Sequence, residues 1–107
     1  MPFDGSRYLT TSPLTNMLTE ARQQLDQGWC QHRARQRGSA CMIGSLAISD
    51  YDVFVEAERL LLDAIRDLGY PQVSVPAFND ALARTKEQVL QVYDRAIHRS
   101  MIVASRN

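Results

Sequence analysis

The thiols and imidazoles of this 107-residue sequence, Cys30, Cys41, His32 and His98, are the side chains that could hold a soft metal. Tetrahedral zinc accepts such ligands, but structural sites draw them in close pairs such as C-x₂₋₄-C. Here the cysteines are eleven positions apart, and His98 falls on the outward arc of an amphipathic segment. No metal and no cofactor is expected. As a nucleophile, Cys41 would need a neighbouring base and an accessible thiolate. Its chain neighbours Ala40, Met42 and Ile43 are apolar, so it reads as a buried small residue. Asp50, Asp52, Glu56, Asp63 and Asp67 recur at the spacing of a solvated helix face and do not form the convergent pair that acid–base catalysis uses. Asn79-Asp80 is different, because a turn there could present Asp80 to a ligand, although such residues more commonly cap helices. The sequence contains no glycine-rich phosphate loop, nucleophile elbow or HExxH helix. An enzyme would have to rest on Cys41 or Asp80.

Charge says more. Twelve basic residues balance twelve acidic ones, yet residues 22–37 carry Arg22, Arg33, Arg35 and Arg37 against Asp26, while residues 50–67 hold six acids against Arg59 and Arg66. An extended 29–38 segment would aim Arg33, Arg35 and Arg37 in one direction; a helix would align Arg33 with Arg37 only. Arginine's planar fork suits carboxylate or phosphate, and Trp29 could stack a base, so nucleic-acid binding is one reading. A nucleic-acid domain usually shows an overall basic surplus, which this chain lacks. The same arginines could pair with the acidic helix of this chain or with a partner, and Trp29 serves equally well as a core plug.

Helices must position these groups. Ser12-Pro13 is a helix start, since the hydroxyl accepts an orphan N–H and proline at the first position gives up no bond. Leu14, Met17, Leu18, Ala21 and Leu25 then recur on one face, with Gly28 as a stop. Ala40, Met42, Ile43, Leu46 and Ala47 suggest a short helix with Cys41, Gly44 and Ser45 on a small-residue side. From Asp52 to Leu68 an apolar arc of Phe54, Ala57, Leu61, Ala64 and Ile65 marks a longer helix. Val55 and Leu62 project from its polar side and are candidates for partner contact. Gly69 and Pro71 close that helix. Residues 73–78 read as an extended segment in which Pro76 forbids a central strand. Thr85 and Gln88 form a capping box before a last helix carrying Val89, Val92, Tyr93 and Ala96.

Trp29 after the first helix, Cys41-Met42-Ile43-Gly44-Ser45-Leu46, Phe78-Asn79-Asp80, Thr85 with Glu87, Val89 and Leu90, and Arg95-Ala96 together form a familiar pattern. Over residues 13–98 it resembles DUF6197, a family of small actinobacterial and phage proteins of unknown function. Ser45 stands where that family favours alanine and Phe78 where tryptophan is common. The resemblance implies no activity, and it implies that the motif residues Trp29, Cys41, Gly44, Asn79 and Asp80 are architectural.

The sequence therefore predicts an all-α, single-domain bundle of about four helices, with one extended segment near 73–78. A tail occupies residues 1–12, the domain 13–104 and a frayed end 105–107. The expected core is Leu18, Ala21, Leu25, Met42, Leu46, Phe54, Leu61, Ile65, Phe78, Val89, Tyr93 and Ala96. No apolar run reaches the ~20 residues of a membrane helix, and the start resembles no secretion signal, so a cytoplasmic protein is expected. The expected function is a non-enzymatic interaction module that binds a protein partner or a second copy through Trp29, Arg33, Arg35, Arg37, Val55 and Leu62. Nucleic-acid binding through Trp29 and Arg33, Arg35 and Arg37 is the first alternative, and an enzyme using Cys41 or Asp80 the second.

Overall fold

A computed structural model describes residues 12–106, with side chains as far as Ile102. The expectations for residues 1–11 and 107 lie outside it. Within it the capping logic of the sequence operates at each helix start. Ser12 Oγ accepts the Thr15 N–H at 3.1 Å, and α1 (Pro13–Gln27) follows. Asp50 Oδ1 accepts the Val53 N–H at 3.2 Å ahead of α2 (Tyr51–Asp67). Thr85 and Gln88 exchange reciprocal bonds of 3.1 and 3.2 Å to open α4 (Lys86–Arg106).

The three long helices pack pairwise, with α1 antiparallel to α4. Thr15 Oγ1 meets Ser100 Oγ at 2.7 Å at one end of that pair, and Arg22 pairs with Asp94 further along. Leu18, Ala21, Leu25, Leu61, Ile65, Val89, Val92, Tyr93 and Ala96 are removed from solvent between them, and this burial of apolar area is the main stabilising term. Of the expected core, Phe54 is the exception: it is half-buried and stacks on exposed Tyr51 with ring centroids 6.2 Å apart.

Two elements differ from the sequence reading, and the fold is mostly helical instead of all-α. Arg35–Gln36 (β1) and Ser39–Ala40 (β2) form an antiparallel hairpin. Its two-residue loop, Arg37-Gly38, has φ of 45° and 83°, the double positive-φ geometry of the tightest hairpin turns. Helical periodicity had no access to this motif. Ala40 also bridges Trp29, so β2 lies between β1 and the chain leaving α1. The expected helix around residues 40–47 is consequently a strand followed by a turn, in which Ser45 N–H donates to Cys41 O and Leu46 N–H to Ile43 O.

The expected extended segment 73–78 is helical at Val75–Asn79 (α3). Ser74 Oγ accepts the Ala77 N–H at 3.1 Å, and Pro76 sits in the first turn, where a missing N–H costs nothing. Proline excludes the central strand, but together with the Ser74 cap it marks a helix start, Pro76 standing at the second helical position where Pro13 stands at the first.

The turn after β2 lies hard against the hairpin. A Cβ at Gly44 would overlap the Ala34 carbonyl oxygen, which is backbone and cannot swing aside. Gly44→Ala should therefore cost about 1–3 kcal/mol through overpacking, read as a lowered urea midpoint at unchanged slope. An unchanged midpoint would show that the two strands of chain are not in this contact.

Candidate functional site

Asn79, at the C-terminal end of α3, is fully enclosed, yet every hydrogen-bonding position of its carboxamide is engaged. Its Oδ1 accepts from Trp29 Nε1 at 2.8 Å and from the Met42 N–H at 3.0 Å. Its Nδ2 donates to Cys30 O at 3.2 Å and to Asp80 Oδ1 at 2.8 Å. One side chain thus ties α3 to the chain leaving α1 and to the turn after β2. Gln31 adds a second tie, its Nε2 donating to Asn79 O and Ala81 O at 2.9 and 3.0 Å. From the far side Arg84 lies over Phe78, with its guanidinium carbon 3.7 Å from the ring centroid, and donates to Phe78 O at 2.8 Å.

This clamp shapes an open pocket of about 260 Å³ between the hairpin, the 41–46 turn and α3, lined by His32, Arg33, Ala34, Cys41, Ile43, Gly44, Pro76, Asn79 and Asp80. His32 has φ of 68°, a left-handed conformation uncommon for a non-glycine residue, and its N–H donates to Asp80 Oδ1 at 2.8 Å. Its ring Nδ1 lies 3.8 Å from Asp80 Oδ2. Burial pushes the Asp80 carboxyl upward, but the His32 N–H, the Asn79 amide and the His32 ring together outweigh it and leave the group below its ordinary value. Asp80 is therefore the ionised wall of the pocket.

Cys41 is half-buried on this pocket, in contrast to the buried position expected for it. It leaves a strand instead of occupying a helix interior, and among the described residues its Sγ receives a single hydrogen bond, from Gly44 N–H at 3.2 Å. Cys30 lies alongside β2, its N–H donating to Ala40 O at 3.1 Å, and burial, then the neighbouring Cys41, push its thiol upward. Trp29 is half-buried with its indole N–H turned inward to Asn79, so it serves packing in the way a core plug does.

The arginines do not form the single row that a continuous strand would give. Arg35 lies in β1, Arg37 in the turn, and Arg33 before the strand on the pocket rim; all three are exposed. Among the described residues none has a carboxylate partner, and Arg35 donates to Gln24 Oε1 at 3.2 Å. The acidic helix is engaged elsewhere: Glu56 and Asp63 pair with Arg59, Asp63 with Arg66, and Asp67 with Arg95 and Arg99 of α4. Val55 and Leu62 are apart from the pocket, in a groove of about 240 Å³ shared with Glu58, Arg59, Val73, Ser74 and Val75. Sequence reasoning missed Gln31 and Arg84. It weighed His32 only as a metal ligand, and the pairing of His32 with Asp80 is a tertiary fact.

Residues 9–99 match the model of a family described as one of unknown function, DUF6197. Among curated proteins and among solved structures, nothing matches the chain.

Two outcomes follow from this geometry. Asn79→Ala strands the Trp29 and Met42 donors and should cost about 3 kcal/mol in urea unfolding, at about 1–3 kcal/mol per buried unsatisfied group; a change within the noise of the midpoint would contradict the clamp. Because the folded carboxyl of Asp80 lies below its unfolded value, its contribution is full above the unfolded value near pH 4 and is lost as pH falls through the folded one. Asp80→Asn should flatten the acid limb of the stability profile. An acid limb identical to that of the parent would show that Asp80 is not held in this way.

Proposed function

The chain belongs to the DUF6197 family, and we propose that it is a non-enzymatic interaction module that docks the carboxylates of a protein partner on its arginine hairpin. The observation that carries this reading is the set Arg33, Arg35 and Arg37, exposed and without a carboxylate among the described residues, while Glu56, Asp63 and Asp67 are paired within and between α2 and α4. A type of turn that fixes the backbone presents these guanidinium forks on a rigid support, which lowers the ordering cost of binding. Protein is favoured over nucleic acid because the formal net charge is zero and the Trp29 ring packs half-buried against the core instead of standing open as a stacking platform. The two free thiols, Cys30 and Cys41, suit a reducing compartment such as the cytoplasm. No helix among the described residues is long and apolar enough to cross a membrane.

A second copy of the chain is the other reading, supported by Val73 at 78% and Val55 at 42% exposure beside Leu62. Light scattering separates it, since a concentration-dependent dimer dispersed by Val55→Glu would place self-association on that groove.

The principal reading is tested by fluorescence anisotropy at low salt, with an acidic peptide of mixed Glu and apolar residues and an oligonucleotide of equal charge as probes. The peptide should bind more tightly than the oligonucleotide, and charge reversal at Arg33, Arg35 and Arg37 together should abolish binding with the fold unchanged by circular dichroism. Tighter oligonucleotide binding, or no loss on charge reversal, would overturn it.

A further inference from the structure

The pocket beneath the hairpin carries charge of both signs on otherwise apolar walls. Asp80 Oδ1 is occupied by the His32 N–H and the Asn79 amide. Oδ2 has the His32 ring at 3.8 Å, beyond hydrogen-bond length, and is the carboxylate's spare acceptor. Arg33 lines the same cavity without any side-chain bond among the described residues, so its five N–H donors are available. Ala34, Ile43 and Pro76 supply apolar lining to the same cavity, beside Cys41 and His32. Asn79 offers a ligand nothing, because its four positions are already used. The cavity is therefore a preformed apolar cup with one anionic acceptor and one cationic fork at its edge.

We propose that this pocket binds a small zwitterion of amino-acid size, its ammonium on Asp80, its carboxylate on Arg33 and a short apolar side chain against Ile43 and Pro76. Charge complementarity selects against a simple amine, which Arg33 repels, and against a simple acid, which Asp80 repels; only a molecule with both groups is matched at both ends. Size selects in the same direction. About 260 Å³ lies under the roughly 300–1,000 Å³ typical of drug-sized ligands and cofactors, which leaves room for a single amino acid with an aliphatic side chain. The strained His32 backbone, held by Asp80, sets the acceptor in place before binding. The site is separate from the docking reading above, with which it shares only Arg33.

The test is a heteronuclear NMR titration of the folded chain with L-valine, and with isobutylamine and isovalerate as analogues that each lack one charge. Valine should produce saturable shifts confined to residues 32–34, 41–44 and 76–80, with affinity at least tenfold above either analogue. Arg33→Gln, whose parent side chain makes no hydrogen bond or ion pair among the described residues, should weaken valine at least tenfold and leave isobutylamine unchanged or improved. Asp80→Asn should remove valine binding; should it disturb the spectrum globally, the Arg33 variant still decides. Absence of saturable shifts with valine, equal affinity for isobutylamine, or shifts indifferent to Arg33→Gln would each overturn the proposal.

Discussion

A single buried carboxamide organises the functional end of this molecule. Asn79 is removed from solvent and would be a liability there if any of its polar positions were empty, because a buried group without a partner forfeits its hydration for nothing. All four are filled, two accepting and two donating, and the partners come from three separate stretches of chain around residues 29–30, 42 and 80. The exchange is thus one of local cost for long-range order. Three irregular segments, none of which has a periodic apolar face of its own, acquire fixed relative positions through one side chain. The pocket, the strained His32 and the outward set of the hairpin follow from that fixation.

The helical frame supplies the other half. It closes through α1, α2 and α4 by ordinary apolar burial, and its charged face is neutralised internally, most clearly where Asp67 receives Arg95 and Arg99 across two helices. Tyr93 joins frame to site: fully buried on α4, it donates to Met42 O at 2.7 Å and approaches Ser45 Oγ at 3.2 Å. Burial pushes its phenol far above the ordinary value, so it is a neutral donor near neutral pH. The turn carrying Cys41 and Gly44 is consequently held from below by α4 and from the side by α3.

The frame was legible in the sequence because it obeys local rules. A 3.6-residue period, Ser12-Pro13, and the Thr85/Gln88 box each announce themselves within a few positions, and the long helices begin within a residue or so of where those signals place them. The site was legible only as a set of names. Trp29, Cys41, Gly44, Asn79 and Asp80 were singled out, and all five converge, but their geometry depends on contacts 37 to 50 positions apart along the chain. The hairpin was unreadable by periodicity, since strands of two residues have no period. Its turn pair Arg37-Gly38 carries a glycine at one of two positive-φ positions, half of the usual signature. Val55 and Leu62, marked by their departure from an amphipathic pattern, do face a groove, but on a part of the surface distinct from the pocket.

The clamp makes a demand on the indole hydrogen of Trp29 that no other arrangement would. A half-buried tryptophan whose Nε1 reached solvent would exchange that hydrogen freely, whereas one bonded at 2.8 Å to an enclosed carboxamide must wait for the clamp to open. Native-state hydrogen exchange of the Trp29 indole N–H, followed by NMR alongside the backbone amides of α4, measures this directly. The account predicts slow exchange, with a protection that falls in step with that of the Met42 amide as denaturant is added. Exchange at the rate of a free indole would contradict it.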